Sequence, residues 1–173
     1  KINSETESGA DNEDIYINPW DGKRFKFIDI PGDGHCGYYA IMVGNEPEKY
    51  LYENKIKNFE QVNEDMKDIR NITSQLISPS DRQIAAAADG CSIKKYLQAV
   101  ATNKYIDEVE FKTLSNYYRR PIYIHDTISN KTFKYEPEIQ SNSKPIHLHY
   151  SILGDNKSNG NIKRKDKLGM AHY

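Results

Sequence analysis

The order of local patterns along this chain predicts an α+β domain. A strand signal comes first, a long helix-compatible stretch follows, and strand signals cluster towards the end. Arg24 to Ile30, R-F-K-F-I-D-I, alternates Phe25, Phe27 and the isoleucines with Lys26 and Asp29 until Pro31-Gly32 stops it. Glu46 to Ile77 brings apolar residues round at threes and fours, from Tyr50, Leu51 and Ile56 through Phe59, Val62, Met66 and Ile69 to Ile77. That spacing marks amphipathic helices lying on a core. Pro121 to His125, Thr132 to Tyr135 and Pro145 to Tyr150 are short, rich in β-branched and aromatic residues, and read as strands.

The remaining elements follow from local signals. Gly37 to Val43 has no breaker, Tyr39, Ile41, Met42 and Val43 supply a buried stripe, and Gly44 suits a C-cap. Ser80 or Asp81 caps a short helix through Ala88, and Ser92 caps another through Val100. Ile106 to Tyr118 predicts a further helix. Asp155 to Lys167 is polar, basic and glycine-bearing, a surface loop, and Leu168 to Tyr173 is apolar again.

With 173 residues the chain suits one domain and can bury a core without disulfide staples. Residues 1–19 are polar and acidic and read as a flexible arm or linker, leaving 20–173 as the folded domain. The chain begins at Lys1, which suggests a piece of something larger. Two cysteines make no secreted framework and no zinc spacing, so a reducing cytoplasm is the expected compartment. A net charge of -1, from 24 basic and 25 acidic residues, gives no field to steer the molecule onto nucleic acid or an anionic membrane. No apolar run approaches the roughly 20 residues that span a bilayer.

Cys36 stands where this organisation turns chemical. It follows a glycine-punctuated acidic turn, Pro31-Gly32-Asp33-Gly34-His35, and precedes an aromatic, apolar helix. Unpaired backbone N–H groups and the helix dipole favour a thiolate at such a position. Gly32, Gly34 and Gly37 leave no Cβ in the way of an extended substrate and permit unusual dihedrals that gather N–H groups into an oxyanion hole. Asp33 can hold the turn through an Asx-type bond. Cys91, in D-G-C-S-I-K-K-Y-L, reads as a packing cysteine beside a capped helix.

A thiolate nucleophile needs a base that the fold brings to it. His35 lines the turn. His125 ends a strand in a solvated or core role. His147 and His149 share a strand face but have no third metal ligand at a recognisable spacing. His172 lies far downstream, on or just before a late apolar strand.

Asp33-Gly34-His35-Cys36-Gly37-Tyr38-Tyr39-Ala40 resembles the cysteine box of the ovarian tumour (OTU) deubiquitinases. Tyr96 to Ser115 with Arg120-Pro-Ile-Tyr-Ile resembles the helix before that family's central strand. Pro145-Ile-His-Leu-His-Tyr resembles the strand before its histidine, and Ala171-His172-Tyr173 the His-Tyr that carries the base. The resemblance spans about Phe25 to Tyr173 and implies a small central, mostly antiparallel sheet flanked by helices. It further implies Cys36 as nucleophile, His172 as base, Asp33 shaping the oxyanion loop, and Gly34, His35 and Gly37 lining the substrate. The family's usual Asp or Asn two residues after the histidine has no counterpart, because the sequence stops at Tyr173; it lies beyond this end, or another acidic or amide group orients the ring.

The implied reaction is hydrolysis of an isopeptide at the C-terminus of ubiquitin through a Cys thioester, with no metal or organic cofactor. Ubiquitin and polyubiquitin chains are the implied partners, with related modifiers still open. Glu108, together with Asp107 and Glu110, can meet ubiquitin's basic tail, although a solvated helix face explains them equally. An effector from an intracellular bacterium or a virus, acting in a host cytosol, fits the composition. Three rivals stand beside this reading, one of them a plain interaction domain, which would need no glycine-rich turn at a helix start. A papain-like protease shares the Cys-then-His order but lacks its cysteine context, and a catalytically inactive OTU-like module would bind ubiquitin only. His149-Tyr150 is a rival base, disfavoured because Ile146, Leu148 and Tyr150 alternate as one strand.

Overall fold

Cys36 to Val43 are all buried, within the first helix, α1 (Cys36–Asn45). Between them the sequence offers no charged or amide side chain, so this helix has no side fit for water and must be enclosed by other elements. The expected stripe is thus a helix apolar all round. It also runs past Gly44: the closing N–H is that of Glu46, bonded to the Met42 carbonyl at 3.2 Å, so Gly44 is not the C-cap.

The structure, a computed structural model, describes residues 15–17, 24–28, 30, 34–126, 129–154 and 164–172, with backbone alone at 15–17, 25–27, 151–154 and 164–172. Pro31, Gly32, Asp33, Trp20, Tyr173, most of the acidic arm and residues 155–163 of the expected loop lie outside the described residues.

On one side α1 meets a six-stranded sheet. Its strands are β1 (Ile15–Ile17), β2 (Arg24–Ile28), β5 (Ile122–Asp126), β6 (Lys131–Tyr135), β7 (Ile146–Gly154) and β8 (Arg164–His172), in the order β1-β2-β8-β7-β5-β6. Only β5 and β7 pair in parallel; the other neighbours are antiparallel. The sheet is therefore mostly antiparallel, as expected for an α+β fold. It begins at Ile15, within the span read as an arm. The last strand begins at Arg164, inside the span read as a loop: Lys165 and Lys167 pair with Leu153 and Ser151.

Strand alternation decides which side of the sheet faces α1. Ile122, Ile124, Ile146 and Leu148 are buried in one core with Ile28, Ile30 and the α1 side chains. Each such residue fully withdrawn from water stabilises the fold by about 1.5–3 kcal/mol.

The other side of α1 is covered by helices. Glu46 to Ile77 divides into α2 (Pro47–Tyr50), a hairpin of β3 (Leu51–Tyr52) and β4 (Lys55–Ile56), and α3 (Phe59–Leu76). The hairpin turn takes positive φ at Glu53 and Asn54, 49° and 61°, as a type I′ turn requires. From α3, Val62, Met66 and Ile69 pack against α1. The outer layer is α4 (Pro79–Ala88), α5 (Ile93–Thr102) and α6 (Glu108–Tyr118), with a smaller core of Ile77, Ala86, Tyr96 and Val100.

Side-chain caps set these starts. Asn58, Ser78 and Ser92 accept from the N–H of Gln61, Asp81 and Lys95, and Asp107 accepts from Glu108. Such a cap stabilises a helix by about 1 kcal/mol. For α4 the cap is Ser78 rather than Ser80 or Asp81, because Pro79 fits the first helical position and moves the start forward.

Candidate active site

Cys36 is the first residue of α1, directly after its N-cap His35, and is 8% exposed. The His35 side chain does not cap the helix. The N-cap side chain therefore takes none of the first-turn N–H groups, at a helix start of the kind that can receive an anion.

The His35 ring instead turns to α3. Its Nδ1 accepts from Nε of Arg70 at 3.0 Å, and its ring meets that of Tyr39 edge-on at 6.2 Å. Arg70 is 1% exposed. Its Nη2 donates to the Gly34 carbonyl at 3.1 Å, and its Nη1 donates to the carbonyls of Val100 and Lys104 at 2.8 and 3.1 Å. The guanidinium lies 4.2 Å from the centre of the Tyr38 ring. Burial, with Glu110 adding to it and Arg70 opposing it, pushes the Tyr38 hydroxyl well above its ordinary range, so it stays protonated. The sequence reading missed Arg70 as part of this site. Its signal was an arginine on the same helical face as Met66, Ile69 and Thr73, where a solvated side chain has no place.

Gly34 and Gly37 both lie at the site, in the turn and in the first turn of α1, but neither takes a left-handed backbone; among the described glycines only Gly90 does. The expectation that these two supply unusual dihedrals is corrected. A Cβ on Gly34 would meet Tyr105 Cζ at 3.8 Å and the Asn103 carbonyl at 3.9 Å, ordinary contact distances. Among the described residues no close contact demands glycine there.

The acidic trio separates. Glu108 is exposed at the start of α6, next to its cap Asp107, and no described contact ties it to the turn at 34–36. Glu110 is 1% exposed and pairs with Lys104 Nζ at 3.0 Å. It therefore belongs neither to a solvated face nor to a substrate approach. An isolated buried carboxylate is costly, and Lys104 supplies the opposite charge beside it. Cys91 is partly buried against the smaller core, in keeping with a packing role.

Tyr123, His125, His147 and His149 alternate with the core isoleucines and Leu148, and so occupy the face away from α1. His125 is buried, with Nδ1 3.2 Å from Thr132 Oγ1 and Nε2 2.9 Å from His147 Nδ1. Burial lowers the affinity of His149 for a proton. Among the described residues no three metal-ligating groups gather.

His172 occupies a different register position. Met170 pairs with Leu148 on one side and Ile28 on the other, and both partners are core residues. His172, two residues on and opposite Lys26, shares that face position in β8, the strand across which α1 packs.

The assembled fold is that of solved OTU domains. An OTU domain in complex with ubiquitin aligns with a TM-score of 0.55 at 18% identity, covering 87% of this chain and 73% of that one. The OTU domain of OTUD1 gives 0.56 at 11% identity over 86% of both chains. The viral OTU domain protease from Dera Ghazi Khan virus gives 0.52 at 18% identity, over 86% and 80%. No protein-family model matches the chain. No curated protein matches it. At these identities the likeness is one of fold.

Proposed function

We propose that this chain, with the fold of an OTU domain, is a thiol-dependent deubiquitinase that cleaves the isopeptide at the C-terminus of ubiquitin. The observation that supports this best is Cys36 at the first position of a buried helix that packs across the strand carrying His172. The ubiquitin complex of a similar domain favours the substrate.

In this reading the Cys36 thiolate adds to the carbonyl carbon of ubiquitin's last glycine. Its electron pair forms the C–S bond while the C=O π pair moves onto oxygen. Backbone N–H groups between Asp33 and Cys36 receive that oxyanion, with Asp33 shaping the loop. Collapse of the adduct breaks the C–N bond, and the His172 imidazolium gives its proton to the departing lysine amine. Water, deprotonated by neutral His172, then adds to the thioester. The C–S bond breaks, leaving the thiolate and ubiquitin's carboxylic acid, which gives its proton to solvent. Gly34, His35 and Gly37 line the glycine-rich tail, while Glu108 beside Asp107 offers exposed negative charge to its basic residues. The chemistry needs a reducing compartment such as a cytosol.

Cleavage of lysine-linked diubiquitin tests the proposal. The chain should release monoubiquitin, Cys36→Ala should abolish release and Cys91→Ala should leave it intact. Release that survives Cys36→Ala would sink it.

A further inference from the structure

Arg70 is a charged residue placed where α3 otherwise presents Met66, Ile69 and Thr73 to the core, and it carries a burial cost that surface arginines avoid. Four of its hydrogen bonds, all to described residues, divide between two places. One pair, to Val100 and Lys104, ties α3 to the end of α5; the other, to Gly34 and His35, ends on the two residues before Cys36. A helix staple explains the first pair and leaves the second unexplained.

We propose that Arg70 is the positioning residue of the oxyanion turn, holding the Gly34–His35 peptide plane and the His35 ring in the arrangement that hydrolysis needs. The inference rests on the deubiquitinase reading and adds a residue to it.

Two constraints follow from elementary geometry. No described peptide bond is cis. In a trans peptide the carbonyl and the next N–H point in opposite directions. Drawing the Gly34 carbonyl onto Nη2 therefore turns the His35 N–H away from Arg70, and removes a carbonyl oxygen from the side where a developing oxyanion would be repelled. The second constraint concerns the ring. A guanidinium remains protonated at all working pH, so Nε is always the donor and His35 Nδ1 always the acceptor. The bond selects the tautomer with hydrogen on Nε2. Lysine cannot replace this fork, because one ammonium cannot reach a ring nitrogen, the Gly34 carbonyl and the carbonyls of Val100 and Lys104 in one plane.

A staple and a positioning residue predict different kinetics for Arg70→Lys. Positioning predicts that kcat on ubiquitin amides falls on the order of 10²-fold while KM stays within about twofold, since the lost interaction is made in the transition state. Alkylation of Cys36 by iodoacetamide passes through no oxyanion, and its rate should stay within about threefold. Unchanged kcat, or a parallel loss of alkylation and hydrolysis, would overturn the proposal. If Arg70→Lys fails to fold, 15N shifts of the His35 ring in the unaltered chain decide. An unprotonated Nδ1 with hydrogen on Nε2 supports the proposal and a protonated Nδ1 overturns it. Absence of hydrolysis by the unaltered chain would instead refute the deubiquitinase reading, and the ring shifts would still test Arg70.

Discussion

Asp89-Gly90-Cys91-Ser92 leads into α5 much as Asp33-Gly34-His35-Cys36 leads into α1, yet the two helix starts end in opposite states. At α5 the cysteine stands outside the helix, Gly90 takes φ of 66°, and Ser92 Oγ accepts the Lys95 N–H at 3.2 Å. At α1 the cysteine is the first helical residue, and the preceding side chain is drawn away to Arg70 instead of capping. A cap commits the first-turn donors to the protein. At α1 the N-cap side chain takes none of them, so the capping residue is the clearest difference between the two cysteine-bearing helix starts.

The sharpest way to break this comparison uses the two histidines that compete as base. His172→Ala should cut hydrolysis on the order of 10³-fold or more, and His149→Ala should leave it within about threefold. Steady-state rates on a ubiquitin amide give both numbers, and the reverse order would move the base to the other face of the sheet. A smaller effect separates the cysteines. Cys36 should be alkylated by iodoacetamide at least about tenfold faster than Cys91, although it is the more buried. Peptide mapping over a time course reads the ratio, and a faster Cys91 would contradict the account.

Ser92→Ala should lower stability by about 1 kcal/mol in urea titration through loss of the α5 cap, without changing hydrolysis. A change in activity would mean that the α5 start is coupled to the site. The smallest effect is one of pH. Burial holds the proton affinity of His149 below that of the unfolded chain, so the unfolded state binds more protons as the medium acidifies. Stability is therefore retained above the unfolded value of about 6.5 and lost as pH falls from there towards the lower folded value. Urea midpoints at successive pH values should show a shallower decline in His149→Leu; an equal decline would remove His149 from the acid response.

Strong periodicity made much of this legible in the sequence. The alternation at Arg24–Ile28, Ile122–Asp126 and Ile146–Tyr150 gave strands in the right order, and Ser92 gave the start of α5. The β3–β4 hairpin was hidden because its turn residues are Glu53 and Asn54 instead of Asn-Gly, and its flanks fit a helical repeat. Glu110 read as a candidate for ubiquitin's basic tail or a solvated face, because only the fold joins it to Lys104 in a buried pair. Cys36 was legible because a strand, glycines and an apolar helix frame it locally. Arg70 was not, since its partners lie between 30 and 36 residues away along the chain. Local pattern singles out a candidate cysteine, whereas the contacts around it come from distant segments.

The central claim is that Cys36 is a nucleophile aimed at ubiquitin's C-terminal carbonyl. Incubating the chain with ubiquitin that carries a C-terminal electrophile, then mapping the adduct by mass spectrometry, tests it most directly. A single covalent adduct on Cys36 is the predicted result, whereas an adduct on Cys91, or none at all, would contradict it.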